Sequence, residues 1–196
     1  MILSNHIKIH DVEQGTPEWH ALRKPRVTGS NCWTLLRKGA EEAIRANSKT
    51  FNGNFWTKRG HLLEIQAIEL YERIHDVDVL RPGFITNDKY PNAGFSPDGI
   101  VGLILESKSF KEEKHLSINT EEDLPPEIIA QVEFGRVVTE LEEAKVLLYH
   151  PPNTEEGGKV TKETAYKEII VTPNKKIQAN IRRALYASIQ QEIQKA

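Results

Sequence analysis

Cysteine is almost absent from this chain. Cys32 is the only one in 196 residues, which excludes a disulfide framework, a cysteine-bound zinc site and a four-cysteine iron–sulfur cluster. A reducing compartment is the natural setting. Long apolar runs are missing too: the longest extend over a few residues, far short of the roughly 20 that cross a membrane. The N-terminal Met1–His10 has neither the length nor the apolar run of a signal peptide. A soluble, unexported protein without a membrane partner is expected. There is no internal repeat, low-complexity tract or long linker, so residues 1–196 are expected to form a single domain, large enough to bury a core without staples.

Nor is there an excess of either charge, with 26 Lys+Arg against 28 Asp+Glu and a formal sum of −2. A neutral chain is not the usual nucleic-acid binder, but here the charges are segregated. From His20 to Gly60 there are nine basic and two acidic residues; from Phe110 to Lys145 there are four basic and ten acidic. A polyanion would find the first stretch attractive. Two solvated helix faces would produce the same pattern.

Helix signals come first along the chain. Thr16 suits an N-cap, Pro17 the first helical position and Glu18 the positive dipole end, so a short helix is expected to about Lys24. Thr28-Gly29-Ser30 opens a second, with Trp33, Leu35 and Leu36 among the residues to bury. A longer helix is expected over Thr57–His75, where Leu63, Ala67, Leu70, Tyr71 and Ile74 recur at helical spacing. The period then changes. Val77–Thr86, broken by Pro82-Gly83, and Gly102–Phe110 read as strands, with Ser96-Pro97-Asp98-Gly99 as a turn. A helix from Pro125 to about Glu143, a strand Ala144–His150, a polar loop Pro151–Lys159, a strand Ala165–Val171 and a helix Asn174–Lys195 complete the pattern. The expected fold class is α/β, a mixed central sheet flanked by helices. The acidic run Glu121–Glu143 reads as a solvated helix face, with a docking or subunit surface as the alternative.

The chemistry lies in carboxylates that the pattern places oddly. On the long helix Glu64 falls inside the apolar arc, between Tyr71 and Ile68, whereas Glu69 and Glu72 point away. A carboxylate there is costly unless a cation pairs with it. In Leu103–Phe110, period two puts Ile104, Glu106, Lys108 and Phe110 on one face. A carboxylate and an ammonium thus project side by side from an otherwise apolar strand. An ordinary ion pair would look the same. Ser96–Gly99 lies a few residues upstream, and a hairpin would bring Asp98 back near the start of that strand, although Asp also suits turns for conformational reasons alone. Together Glu64, Asp98 and Glu106 can offer oxygens to a hard divalent cation such as Mg²⁺. Lys108 can orient or help deprotonate an attacking water and stabilise charge developing on phosphorus. His61, His75, His115 and His150 are scattered and are read as surface or satisfied core groups. Trp33 and Trp56 are assigned to core packing, with base stacking as the alternative.

An acidic helix residue, then S-P-D-G, then an apolar strand carrying E-x-K resembles the PD-(D/E)XK nucleases, with a restriction-endonuclease-like core. The match is closer to the branch of phage lambda exonuclease and the YqaJ-type viral recombinases. It rests on four segments in the family's order: Trp19–Arg23 with Val27–Ser30, Gly60–Tyr71, Phe95–Phe110 and Ala130–Phe134. The resemblance implies that Asp98, Glu106 and the backbone carbonyl of Ser107 are metal ligands. Glu64 would complete the site directly or through water. Lys108 is then the catalytic lysine and Gln131 sits beside the scissile end. Arg23, Ser30 and Ser96 match positions that hold a DNA 5′-phosphate in the lambda-type enzyme. The chain departs from that enzyme at Ser107, at Ser109-Phe110 and at Gly29, where the relative has alanine.

The implied activity is a Mg²⁺-dependent exonuclease, Mn²⁺ substituting, that digests duplex DNA from the 5′ end and leaves 3′ tails for phage-type recombination. Arg23, Lys24, Arg26, Arg37 and Lys38 would bind the terminal phosphate and the backbone, with a strong dependence on salt. The likeness further implies a homo-oligomer, a trimeric ring around DNA, a single-strand annealing protein as partner, and a cytoplasmic location, that of the bacterial host if the gene is phage- or prophage-borne. Two alternatives stay open. An endonuclease of the same superfamily, restriction-like or junction-resolving, would not need a 5′-phosphate, and a non-catalytic DNA-end-binding protein would lack Mg²⁺-dependent degradation.

Overall fold

The computed structural model describes residues 4–47, 55–152 and 159–195. In chain order the elements are β1 (Ile7–His10), α1 (Pro17–Arg23), β2 (Val27–Thr28), α2 (Cys32–Lys38), α3 (Ala40–Asn47) and α4 (Phe55–His75). Then come β3 (Phe84–Asn87), β4 (Ala93–Phe95), β5 (Gly99–Ile100), β6 (Ile104–Lys108), α5 (Glu112–Ser117), α6 (Pro126–Thr139), β7 (Ala144–Tyr149), β8 (Tyr166–Ile170) and α7 (Lys175–Lys195). The expected polar loop after β7 is described only at its two ends.

The mixed α/β class is as expected, but the strands divide into two sheets instead of one. The first runs β1-β3-β4-β2, antiparallel except for the β2–β4 pair; the second runs β5-β6-β7-β8 with β6 and β7 parallel. Strand alternation gives the second sheet two covered faces. Leu105 and Leu147 pack with Ala67, Ile68 and Tyr71 of α4. Ile104, Val146 and Leu148 point the other way, into the core built on α6. No helix among the described residues is long and apolar enough to cross a membrane.

Local chemistry explains several boundaries. Thr16 caps α1 by accepting the Trp19 amide, and Pro17 opens it. Helix α6 stops at Thr139, earlier than expected, because Glu140 adopts a left-handed backbone (φ 60°). Its carboxylate is tied there by Ser4, His6 and Lys89. These are tertiary contacts that no local pattern displays.

Four expectations fail. Ile74 belongs to the apolar arc of α4 by angle yet is 57% exposed, since it stands in the last turn and helical period says nothing about how far a sheet extends along the axis. Trp33 is exposed instead of buried; α2 is anchored by Cys32 and Leu35 on its other side. The expected strand Val77–Thr86 is strand only from Phe84, with Leu80 making a single bridge to Ile100, because Pro82-Gly83 breaks the ladder. Finally, the acidic run is not one helix face: Glu122, Asp123, Glu127, Glu140, Glu142 and Glu143 are exposed, but they stand on a turn, at the start of α6 and in the loop after it. Helix α6 is buried along most of its length, and Glu133 is buried against Arg136 at 2.5 Å.

That buried pair holds α7 in place. Glu133 accepts the Asn174 amide and the Gln178 side-chain amide, while Arg136 donates to the carbonyls of Glu142 and Val171. Both charges are thereby satisfied, as burial demands. The side chain of Trp56 lies outside the described residues.

Candidate active site

The β5–β6 hairpin returns Asp98 to β6, but it turns at Val101–Leu103, where Gly102 has φ 78°, and Gly99 is already in β5. Gly99 pairs with Leu105 and Ile100 with Ile104, so Asp98 stands across from Glu106. The Asp98 carboxylate accepts the backbone amide of Ser107 at 2.6 Å. On β6, Lys108 donates to Glu106 Oε1 at 2.5 Å, and Gln131, reaching over from α6, donates to the same oxygen at 2.5 Å. Glu106 is 1% exposed, yet its Oε2 has no hydrogen-bond partner.

Glu64 approaches from α4, with His61 3.6 Å away one turn earlier. Burial raises its pKa and Glu106 adds to the rise, against the opposing pull of His61 and Lys108. Asp98 is raised well above the ordinary carboxylate range, first by burial and then by the charges of Glu106 and Glu64. Lys108 loses hydration, which works against its charge, but Glu106, Asp98 and Glu64 outweigh that and hold the ammonium above its usual pKa. The four groups therefore lie within electrostatic reach of one another: three carboxylates against one ammonium.

This is an unbalanced cluster that a divalent cation would balance. Among the described residues no three His, Cys, Asp or Glu side chains are already grouped to hold an ion; Lys108 and Gln131 occupy one oxygen of Glu106. The residues nonetheless fit such a group. A buried carboxylate oxygen without a partner, beside acids whose charged forms are disfavoured by burial and mutual repulsion, is the donor set a hard cation takes.

A second site adjoins the first. Arg23 donates to Ser30 Oγ (3.0 Å), Ser96 Oγ (3.4 Å) and Thr28 Oγ1 (3.4 Å). Its guanidinium lies 4.1 Å from the Trp19 ring centre, and the Trp19 indole N–H donates to Ser96 at 2.9 Å. Among the described residues no carboxylate lies within ion-pair distance of Arg23. Burial alone lowers its pKa to about 10, so this cation is held among hydroxyls with no compensating charge. Such a pocket suits an anion with several oxygens.

Hydrogen bonds join Asp98, Glu106, Ser107, Lys108 and Gln131 in one group, which Glu64 faces from α4 through charge alone, and Arg23, Ser30 and Ser96 in another beside it. Trp19 and Thr28 were not assigned to the pocket, although Trp19 precedes Arg23 by one helical turn, the spacing that puts two side chains side by side. Gly29, a departure from the lambda-type pattern, also finds its reason. A Cβ there would come within 2.9 Å of the Phe95 ring and 3.2 Å of Gln131 Cγ, so this backbone passes close behind Gln131.

A family model, the YqaJ-like viral recombinase domain, matches residues 18–142, a span that contains both groups. The chain belongs to that family. This YqaJ-like domain is also similar to solved exonucleases. LHK-Exo in complex with dAMP superposes with a TM-score of 0.72 at 24% identity, covering 91% of this chain and 95% of that one. The alkaline exonuclease LHK-Exo from Laribacter hongkongensis gives 0.68 over the same coverage and at the same identity. A phage related exonuclease from Haemophilus somnus 129PT gives 0.61 at 13% identity, over 87% and 96%. These likenesses establish the shared fold. No curated protein matches the sequence. Membership of the YqaJ-like family supports a nuclease role.

Proposed function

We propose that the chain is a 5′-to-3′ exonuclease that hydrolyses one strand of duplex DNA from its end and leaves a 3′ single-stranded tail. One observation carries the reading: an arginine–hydroxyl pocket without a carboxylate and a carboxylate–lysine cluster are built on one short segment between β4 and β5, Ser96 to Asp98. A terminal 5′-phosphate seated among Arg23, Ser30 and Ser96 would leave the next phosphodiester to the cluster. LHK-Exo crystallised with dAMP, a nucleoside monophosphate, is a structural relative that fits this product.

Asp98, Glu106, the Ser107 carbonyl and Glu64 would hold Mg²⁺, or Mn²⁺ in its place. A divalent ion supplies Lewis acidity to the phosphoryl group and lowers the pKa of bound water. The chain's own residues do the rest. Lys108, protonated beside Glu106, stabilises negative charge growing on phosphorus. Gln131 fixes the Glu106 carboxylate and stands beside the scissile phosphate. Water adds in line to phosphorus, the P–O3′ bond breaks, and the leaving oxygen takes up a proton. A 5′-mononucleotide departs, and the shortened strand carries a new 5′-phosphate for the Arg23 pocket.

By family likeness the working assembly is a trimeric ring around DNA, acting with a single-strand annealing protein in a bacterial host cytoplasm. The test is digestion of end-labelled linear duplex with and without a 5′-phosphate, beside closed circular duplex, in Mg²⁺ and then in Ca²⁺. Degradation of the phosphorylated linear DNA in Mg²⁺ alone is expected. Cutting of closed circles, or indifference to the 5′-phosphate, would overturn the exonuclease reading.

A further inference from the structure

Helix α2 begins directly after the phosphate pocket, and its exposed side is not what the burial of apolar residues would produce. Ser30, Trp33, Arg37 and Lys38 face solvent, while Asn31, Cys32 and Leu35 between them are buried. Trp33 is 37% exposed, three residues beyond the Ser30 hydroxyl that Arg23 holds. The Arg37 guanidinium lies 5.9 Å from the indole centre. Ser30, Trp33 and Arg37 therefore form one stripe: a pocket hydroxyl, an aromatic face and a cation, spread over about 10 Å of helix axis. Helix α2 has no acidic residue, and among the described residues neither Arg37 nor Lys38 has a carboxylate partner.

We infer that Trp33 is the packing platform for the 5′-terminal nucleotide, whose phosphate occupies the Arg23 pocket, with Arg37 meeting the nucleic-acid backbone beyond it. The inference rests on the proposed function and names the part of the substrate that this surface recognises. The occupant follows from charge and position. An indole flanked by arginine and lysine, next to a site for a phosphate, matches a nucleotide: anionic at one end and flat at the other. Base–aromatic stacking of this kind tolerates any base, as an enzyme that removes successive nucleotides requires. An apolar protein partner would not be met by this pair of unpaired cations.

The experiment compares two 5′-phosphorylated duplexes in Mg²⁺, identical except that the 5′-terminal residue of one is abasic. Wild type, Trp33→Ala, Trp33→Phe and Arg37→Ala are measured on both, and on a 5′-hydroxyl duplex. Wild type should show a KM about tenfold lower for the natural end than for the abasic one, the order of effect that one base–aromatic stack supplies. Trp33→Ala should erase that ratio while keeping the preference for a 5′-phosphate; Trp33→Phe should retain most of it. Arg37→Ala should weaken both duplexes alike and reduce the salt slope by about one. If Trp33→Ala keeps the wild-type ratio, or wild type shows none, the inference fails while the nuclease reading stands. If wild type degrades no DNA, the proposed function itself fails and takes the inference with it.

Discussion

Ser96 and Asp98 stand two residues apart on the short link between β4 and β5 and serve two different groups. The Ser96 hydroxyl accepts hydrogen bonds from Arg23 and Trp19, whereas the Asp98 carboxylate accepts the amide of Ser107. Pro97 between them fixes its own φ and is buried. Gln14 donates to the Pro97 carbonyl at 3.2 Å and ties the link to the N-terminal segment. The spacing between the anion pocket and the acid cluster is thus set by backbone, not by flexible side chains.

Lys108→Ala should leave the fold intact, because the side chain is at the rim of the cluster and a quarter exposed. Its loss should lower kcat by about 10²-fold or more, the scale on which a single charge-stabilising donor acts. Circular dichroism together with single-turnover cleavage in Mg²⁺ checks both halves, and full activity in this variant would remove the lysine from the mechanism.

Asp98→Asn should abolish activity and raise the Tm of the ion-free protein. The carboxyl is held above its unfolded pKa by burial and by Glu106 and Glu64, so the folded state binds its proton more tightly than the unfolded one. Stability is then present at low pH and lost as pH rises through the folded value. Asparagine keeps an oxygen for the Ser107 amide and removes the charge. Thermal melts of wild type should move upward with Mg²⁺ or Ca²⁺, and the variant should no longer respond; a lower Tm for the variant would contradict this account of the cluster.

Arg23→Lys should not rescue Arg23→Ala. The guanidinium spreads donors to Ser30, Ser96 and Thr28 at once, a planar reach that an ammonium does not have. Both variants should raise KM for 5′-phosphorylated ends by about tenfold or more, while leaving 5′-hydroxyl ends nearly unchanged. Equal losses on both ends would show that the pocket holds something other than the terminal phosphate.

Arg136→Ala leaves Glu133 buried without its cation and should cost about 3–5 kcal/mol. It also frees the carbonyls of Glu142 and Val171. Urea unfolding measures the loss. A cost below 1 kcal/mol on that scale would mean that the Glu133 network does not hold α7.

Much of the site is legible in residue order because its pieces are local. The alternation of Ile104, Glu106 and Lys108 places carboxylate and ammonium on one face, and they do meet; Asp98 does come to stand opposite Glu106, through a hairpin that turns at Gly102 and not at Ser96–Gly99. The short elements β1, β4, α3 and α5 were not legible. Each is eight residues or fewer, too short for a period to stand out, and β1 and β4 are held by their neighbours in the sheet.

The order of residues alone determined which chemical groups this protein owns and how each projects from its own helix or strand, because side-chain direction follows from backbone period within a few residues. Only the folded chain decided that Gln131, from a helix later in the chain, reaches Glu106, that Arg23 is left among hydroxyls without a counter-charge, and that Trp33 faces water. Those outcomes depend on contacts between segments far apart in the chain, and on how far each packed surface extends, which no local spacing encodes.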